Sequence, residues 1–120
     1  LMDARCSQVY TALFENGKRL TPDSAMLISE LADSLKSIDK PVIFAGDGAA
    51  VTYEKLSGSF DNIILADAQY RYQRASSTAF LTEKYIYSGT TPVSADELLP
   101  VYLRLPQAER ELKKKKELKK

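Results

Sequence analysis

Histidine and tryptophan are absent from the 120 residues, and cysteine occurs once, as Cys6. Without histidine the chain cannot supply an imidazole general base, a Ser-His-Asp or Cys-His nucleophilic arrangement, or a histidine zinc-protease motif. One thiol can close no internal disulfide and build no cysteine zinc site. Arg5 is its only activating neighbour, so Cys6 reads as incidental. No apolar run reaches the roughly 18 residues of a membrane span, and no stretch has the pattern of a signal peptide. The composition suits a reducing cytoplasm. What remains is ordinary for one globular domain: 44% hydrophobic and 28% charged residues, enough to bury a core without staples.

The net charge of +1 hides an asymmetry. Residues 109–120 carry seven positive and three negative side chains, whereas residues 1–108 carry ten and thirteen. The body is mildly acidic and the tail basic, so the expected division is a folded unit over 1–108 and a loose basic tail over 109–120. The Lys113–Lys116 run reads as solvated, with weak salt-sensitive attraction to RNA as the other reading. The chain opens on Leu1-Met2-Asp3 with the apolar pattern already running. We read it as a segment whose N-terminal half lies elsewhere.

Periodicity predicts strands first, then alternating helices and strands. Leu1–Arg5 reads as a strand end and Gln8–Glu15 as the next strand, apolar on both faces, joined by a tight turn at Cys6-Ser7. Asn16-Gly17 marks another turn, and Lys18–Leu20 a short strand. Thr21-Pro22-Asp23 has the chemistry of a helix start: a capping hydroxyl, a proline with no donor to lose, and an acid at the positive end. Leu27, Ile28, Leu31, Leu35 and Ile38 then follow one helical face. Pro41–Ala45 and Asn62–Ala66 read as short strands buried in a covered sheet, with a helix over Ala49–Leu56 between them. Ser76–Ser88 is the last helix, stopped at Gly89. The predicted class is α/β, a mixed sheet covered by helices.

Four groups of residues stand out. Gly46-Asp47-Gly48 lies between a strand and a helix, where backbone N–H groups can cradle phosphate; the alternative is a plain structural turn. Asp3 and Arg5 alternate onto one strand face and can pair with each other or across a lobe interface. No second carboxylate or histidine makes an acid–base pair with Asp3. Tyr70, Arg71, Tyr72 and Arg74 interleave aromatic and basic side chains, as RNA-stacking patches do and as loop-packing residues also do. Pro100-Val101-Tyr102-Leu103-Arg104 is an extended segment restricted by Pro100 and Pro106, with Tyr102 and Arg104 on one side and Val101 and Leu103 on the other.

Three of these stretches carry a resemblance. Met2-Asp3-Ala4-Arg5 with Val9-Tyr10 resembles an opening hairpin, Phe44–Ala49 a strand-to-helix glycine turn, and Pro100–Arg104 with Ala108-Glu109-Arg110 a closing signature. Together they resemble the C-terminal lobe of the bacterial TsaB (YeaZ) family of glycoprotease-like proteins. The resemblance implies the second lobe of the actin-like (ribonuclease H-like) ATPase superfold, shared with Hsp70 and sugar kinases. It also implies a non-catalytic scaffold in the cytoplasm. Such a scaffold acts with a TsaD-like catalytic subunit and a TsaE-like ATPase to place threonylcarbamoyl on adenosine 37 of tRNA. On this resemblance Asp3, Arg5, Tyr10, Pro100, Tyr102, Leu103 and Arg104 are partner or structural residues. No cofactor or metal is expected in this segment, tRNA is met only through the complex, and a homodimer through an exposed interlobe face is a further association. Two other classes compete: a nucleotide-dependent enzyme of the same superfold, whose phosphate loop would lie in the other lobe, and a peptidase.

Overall fold

The computed structural model describes residues 1–106 together with Glu109 and Leu112. The expectations placed on Ala108, Arg110 and the basic tail, including Lys113–Lys116, lie outside the described residues. In chain order the elements are β1 (Met2–Asp3), β2 (Gln8–Thr11), β3 (Phe14–Glu15), β4 (Lys18–Arg19), β5 (Ser24–Leu27) and α1 (Ile28–Leu35). They continue with β6 (Val42–Phe44), α2 (Ala49–Leu56), β7 (Ile63–Leu65), α3 (Ala68–Arg71) and α4 (Ala75–Tyr87). This is a small α/β fold with antiparallel and parallel strand pairs.

β2 is the centre of an antiparallel sheet ordered β1-β2-β5. Val9 faces Asp3 on one side and Met26 on the other, and it is almost wholly buried. The turn from β1 to β2 spans three residues rather than two. Arg5, Cys6 and Ser7 all have left-handed φ values, of 62°, 52° and 57°. That region disfavours residues with a Cβ, so this turn is held by its surroundings. The Ala4 N–H donates to the Gln8 carbonyl at 3.0 Å, and the Ser7 carbonyl accepts from the Ile28 N–H at 3.0 Å.

The strand expected over Gln8–Glu15 is two elements. β2 ends at Thr11 because its partner β5 ends there, Thr11 lying opposite Ser24. Phe14–Glu15 then pairs with Lys18–Arg19 in a separate hairpin around Asn16-Gly17. The Arg19 guanidinium lies 4.6 Å from the centre of the Phe14 ring, and Lys40 holds Glu15 at 2.6 Å.

The helix start expected at Thr21-Pro22-Asp23 is corrected. Those residues serve the hairpin instead: the Thr21 hydroxyl accepts from the Leu13 N–H at 2.8 Å, and Asp23 pairs with Arg19 at 2.6 Å. Pairing with β2 pulls Ser24–Leu27 into a strand, a tertiary demand that overrides local preference. α1 begins only at Ile28, with the Glu30 carboxylate accepting from the Leu27 N–H at 2.7 Å. This closes one of the free donors at the helix start.

β6 and β7 run parallel, joined through α2. Their inward residues Phe44 and Ile63 join Val9, Ile28, Leu31, Leu35, Ala49 and Leu56 in one core. Asn62 ties the entry to β6 by donating its amide to the Ile38 carbonyl at 2.6 Å and the Lys40 carbonyl at 3.2 Å. The expectation of strands buried on both faces is corrected here. Ile43 is 66% exposed and Ile64 48%, so the opposite face of this pair is open. α4 likewise covers no sheet and buries no residue, and Phe80 is 66% exposed. The short α3 was not expected from the sequence.

These burials set a contrast. Phe44→Ala should lower unfolding stability by about 3–5 kcal/mol, the cost of emptying an aromatic site in a close-packed core. Phe80→Ala should change it by less than about 0.5 kcal/mol. Urea denaturation of both variants checks this, and equal losses would contradict the burial pattern.

Candidate functional site

Three of the four groups singled out in the sequence meet at or beside β1. Gly46-Asp47-Gly48 lies directly against it. A Cβ on Gly46 would stand 1.8 Å from the Leu1 carbonyl oxygen, and Gly46 has φ +104°. A Cβ on Gly48 would stand 2.8 Å from the backbone of both Met2 and Asp3. Both glycines are thus explained by the close approach of a strand, as well as by the turn itself.

The two glycine N–H groups of this turn and that of Ala49 are engaged within the chain. The Gly46 N–H donates to the Arg71 carbonyl at 2.7 Å, the Gly48 N–H to the Leu1 carbonyl at 3.2 Å, and the Ala49 N–H to the Gly46 carbonyl at 3.2 Å. The Asp47 carboxylate accepts from the Asp3 N–H at 3.2 Å. Thr52, wholly buried in α2, donates its hydroxyl back to the Gly48 carbonyl at 2.7 Å. A phosphate cradle needs free N–H groups converging on one point. Here those of Gly46, Gly48 and Ala49 hold β1, α3 and the helix start. The Leu1 nitrogen donates to the Ala45 carbonyl at 2.6 Å.

Asp3 and Arg5 pair with each other. The Arg5 guanidinium lies 3.6 Å from the Asp3 carboxylate, whose other oxygen accepts from the Arg5 N–H at 2.8 Å. Arg5 is past the strand end, so the alternation that placed both on one strand face does not apply. The turn brings them together instead. The pair is exposed and adds little stability.

On the other side of β1 lies an open groove of about 560 Å³, walled by Leu1, Met2, Tyr10 and Phe14 and by Val101–Arg104. Arg104 donates to the Ala4 carbonyl at 2.5 Å, bridging 100 positions of sequence. Tyr102 is 85% exposed, and Leu103 is half-buried. Tyr10, Tyr102, Leu103 and Arg104 therefore share one groove, while Pro100 lies outside its lining.

Tyr70, Arg71, Tyr72 and Arg74 sit apart from this groove, on and after α3. Arg71 donates from Nε to the Ala66 carbonyl at 3.1 Å, and Arg74 donates to the Gln69 carbonyl. Both guanidinium groups fasten the loop that carries them, and both tyrosine rings are exposed. Among the described residues no cluster of His, Cys, Asp and Glu could hold a metal ion, and no helix is long and apolar enough to cross a membrane.

The arrangement is a fixed strand with a groove beside it; the Asp3 and Asp47 carboxylates hold backbone N–H groups, and Asp23, which lines the groove, is paired with Arg19. Sequence reasoning missed Leu1, Phe14 and Thr52. Thr52 had a signal, a threonine four positions after Gly48 able to bond back along its helix. Leu1 and Phe14 had none.

The chain is 31% identical over 116 residues to the tRNA threonylcarbamoyladenosine biosynthesis protein TsaB of Bacillus subtilis (strain 168). It is similar to TsaB. The match covers 91% of the chain and 48% of that relative, so the chain spans about half the length of TsaB. No family model matches the chain.

The glycine turn makes a sharp prediction. Gly46→Ala should cost more than about 2 kcal/mol, because strained φ and a backbone clash act together. Gly58, with nothing within 4 Å of an added Cβ, should accept alanine with a change of less than about 1 kcal/mol. Thermal melts of the two variants decide it, and a tolerant Gly46 would show that β1 does not seat on the turn.

Proposed function

We propose that this chain serves tRNA threonylcarbamoyladenosine biosynthesis as the C-terminal lobe of a TsaB-like scaffold, without catalytic residues of its own. The observation that carries this reading is the 31% identity to TsaB across nearly the whole chain. The scaffold would act with a TsaD-like catalytic subunit and a TsaE-like ATPase, and would meet tRNA through that complex.

Two physical features support a scaffold over a nucleotide-dependent enzyme. The N–H groups of Gly46 and Gly48 are engaged, and the residue between them is an acid, which disfavours a phosphate nearby. The open apolar residues Ile43, Ile64, Phe80, Leu81 and Ile86 suit a protein that works by contact with others. They also leave a homodimer as a competing association.

The actin-like superfold is part of the same proposal, and the strand arrangement supports it. The Leu1 nitrogen donates to the Ala45 carbonyl just past β6, as adjoining strands of one sheet would. Placing β1 beside β6 gives the order β5-β2-β1-β6-β7, with three antiparallel strands followed by a parallel pair. That is the strand order of a ribonuclease H-like lobe.

The test is reconstitution. Threonylcarbamoylation of tRNA should be absent with the chain alone and should depend on the chain-bearing protein when a TsaD-like subunit, a TsaE-like ATPase and threonylcarbamoyl-adenylate are supplied. Product formed without the catalytic partner would refute the scaffold reading. Failure to co-purify with a TsaD-like protein would refute the partnership.

A further inference from the structure

The segment after α4 crosses from the end of that helix to the groove beside β1, yet it buries little on the way. Leu98, Leu99, Val101 and Tyr102 are each more than 70% exposed. Among the described residues, the hydrogen bonds made by 91–106 are local, such as those joining Ser94 and Glu97, with one exception. That exception is the bond from Arg104 to the Ala4 carbonyl.

Ala4 is the point where the chain leaves β1. Its N–H is paired with Gln8, but Arg5 turns at once into the left-handed region, and the next bond between the two arms of the hairpin starts from the Arg5 carbonyl. The Ala4 carbonyl is thus left outside the strand ladder and takes the guanidinium instead. Ala4 itself is buried, so this acceptor sits on a rigid part of the fold. A charged donor to a fixed carbonyl in a part-buried setting is among the stronger single hydrogen bonds a surface segment can make.

We propose that Pro100–Arg104 is a strap latched by Arg104, and that releasing this one bond frees the strap from its side of the Tyr10–Phe14 groove while the core stays folded. Two features separate latch from core. The core residues lie on β2, β6, β7, α1 and α2, and none belongs to the strap. The groove wall that the strap leaves behind is formed by Leu1, Met2, Tyr10, Ala12 and Phe14, with Thr11 and Asp23 as its polar members, and it stands without the strap.

Cys6 allows a direct test, being the only thiol in the chain, exposed, and two residues from the latch acceptor. A nitroxide attached there should broaden the amide resonances of residues 101–104 in the 120-residue chain, along with those of β2. In Arg104→Ala, the open population should rise about tenfold or more with loss of one charge-assisted bond. The resonances of 101–104 should then recover intensity while those of β2 stay broadened. Arg104→Lys keeps the charge without the planar fork and should recover part of that intensity. Three results would overturn the proposal. In one, 101–104 are unbroadened before any substitution. In another, broadening persists in Arg104→Ala, so that Val101–Leu103 hold the segment instead. In the third, amide dispersion is lost throughout in both variants, which would make Arg104 part of the core's stability.

Discussion

The seat of β1 on the Gly46–Gly48 turn is the constraint on which the rest of the molecule depends. It is a backbone-to-backbone contact with no room for a side chain at either glycine, since a Cβ at Gly46 would lie 1.8 Å from the Leu1 carbonyl oxygen. It joins two halves that otherwise meet through packed side chains. On one side is the antiparallel sheet centred on β2, and on the other the parallel pair β6–β7. Hydrogen bonds run across the seam in both directions, from Leu1 to Ala45 and from Gly48 to Leu1, and the Asp47 carboxylate reaches over to the Asp3 N–H. The seam also fixes the start of α2, because the Gly48 carbonyl receives both the Thr52 N–H and the Thr52 hydroxyl. The turn, the helix start and the strand therefore form one unit.

That unit bears on a motif shaped like a phosphate loop. Phosphate binding by a glycine turn requires donors that no other group has claimed. Here the chain at Leu1 takes the Gly48 N–H, while those of Gly46 and Ala49 go to the Arg71 and Gly46 carbonyls. The spacing Gly-x-Gly was legible in the sequence, but its meaning depends on a partner 44 residues away. Local pattern can propose a tight turn; it cannot say whether backbone or ligand fills the space that the missing side chains leave.

The same distinction runs through the other elements. β2, α2 and the strands at β6 and β7 were legible because β-branched and apolar residues cluster there and glycine or asparagine bounds them. The start of α1 was not. Thr21-Pro22-Asp23 has the right chemistry for a helix cap, yet Ser24–Leu27 pairs with β2 because Val9 needs a neighbour on each side to be buried. The Tyr70–Arg74 stretch was legible as aromatic-basic interleaving, and its exposed rings fit that pattern. Its arginines, however, reach carbonyls at Ala66 and Gln69 that no spacing rule points to. Arg104 shows the opposite case. A closing signature could be noticed as a string of residues, but its acceptor at Ala4 lies 100 positions back and only folding brings the two together.

The distribution of apolar surface follows from this construction. The seam draws β1, β2, β6 and β7 toward α1 and α2, so Phe44 and Ile63 turn inward and the alternation of the strands sends Ile43 and Ile64 outward. α4 adds Phe80, Leu81 and Ile86 to the uncovered surface. A 13-residue helix is marginal in water when nothing packs against it, and α4 buries no residue. A polar outer sheet face and a polar last helix would serve a self-sufficient domain better. Apolar residues at these positions raise the cost of standing alone and lower the cost of association. The proposed scaffold role uses that difference: the core and seam keep the lobe folded, and the surface they leave uncovered is what a partner would bury.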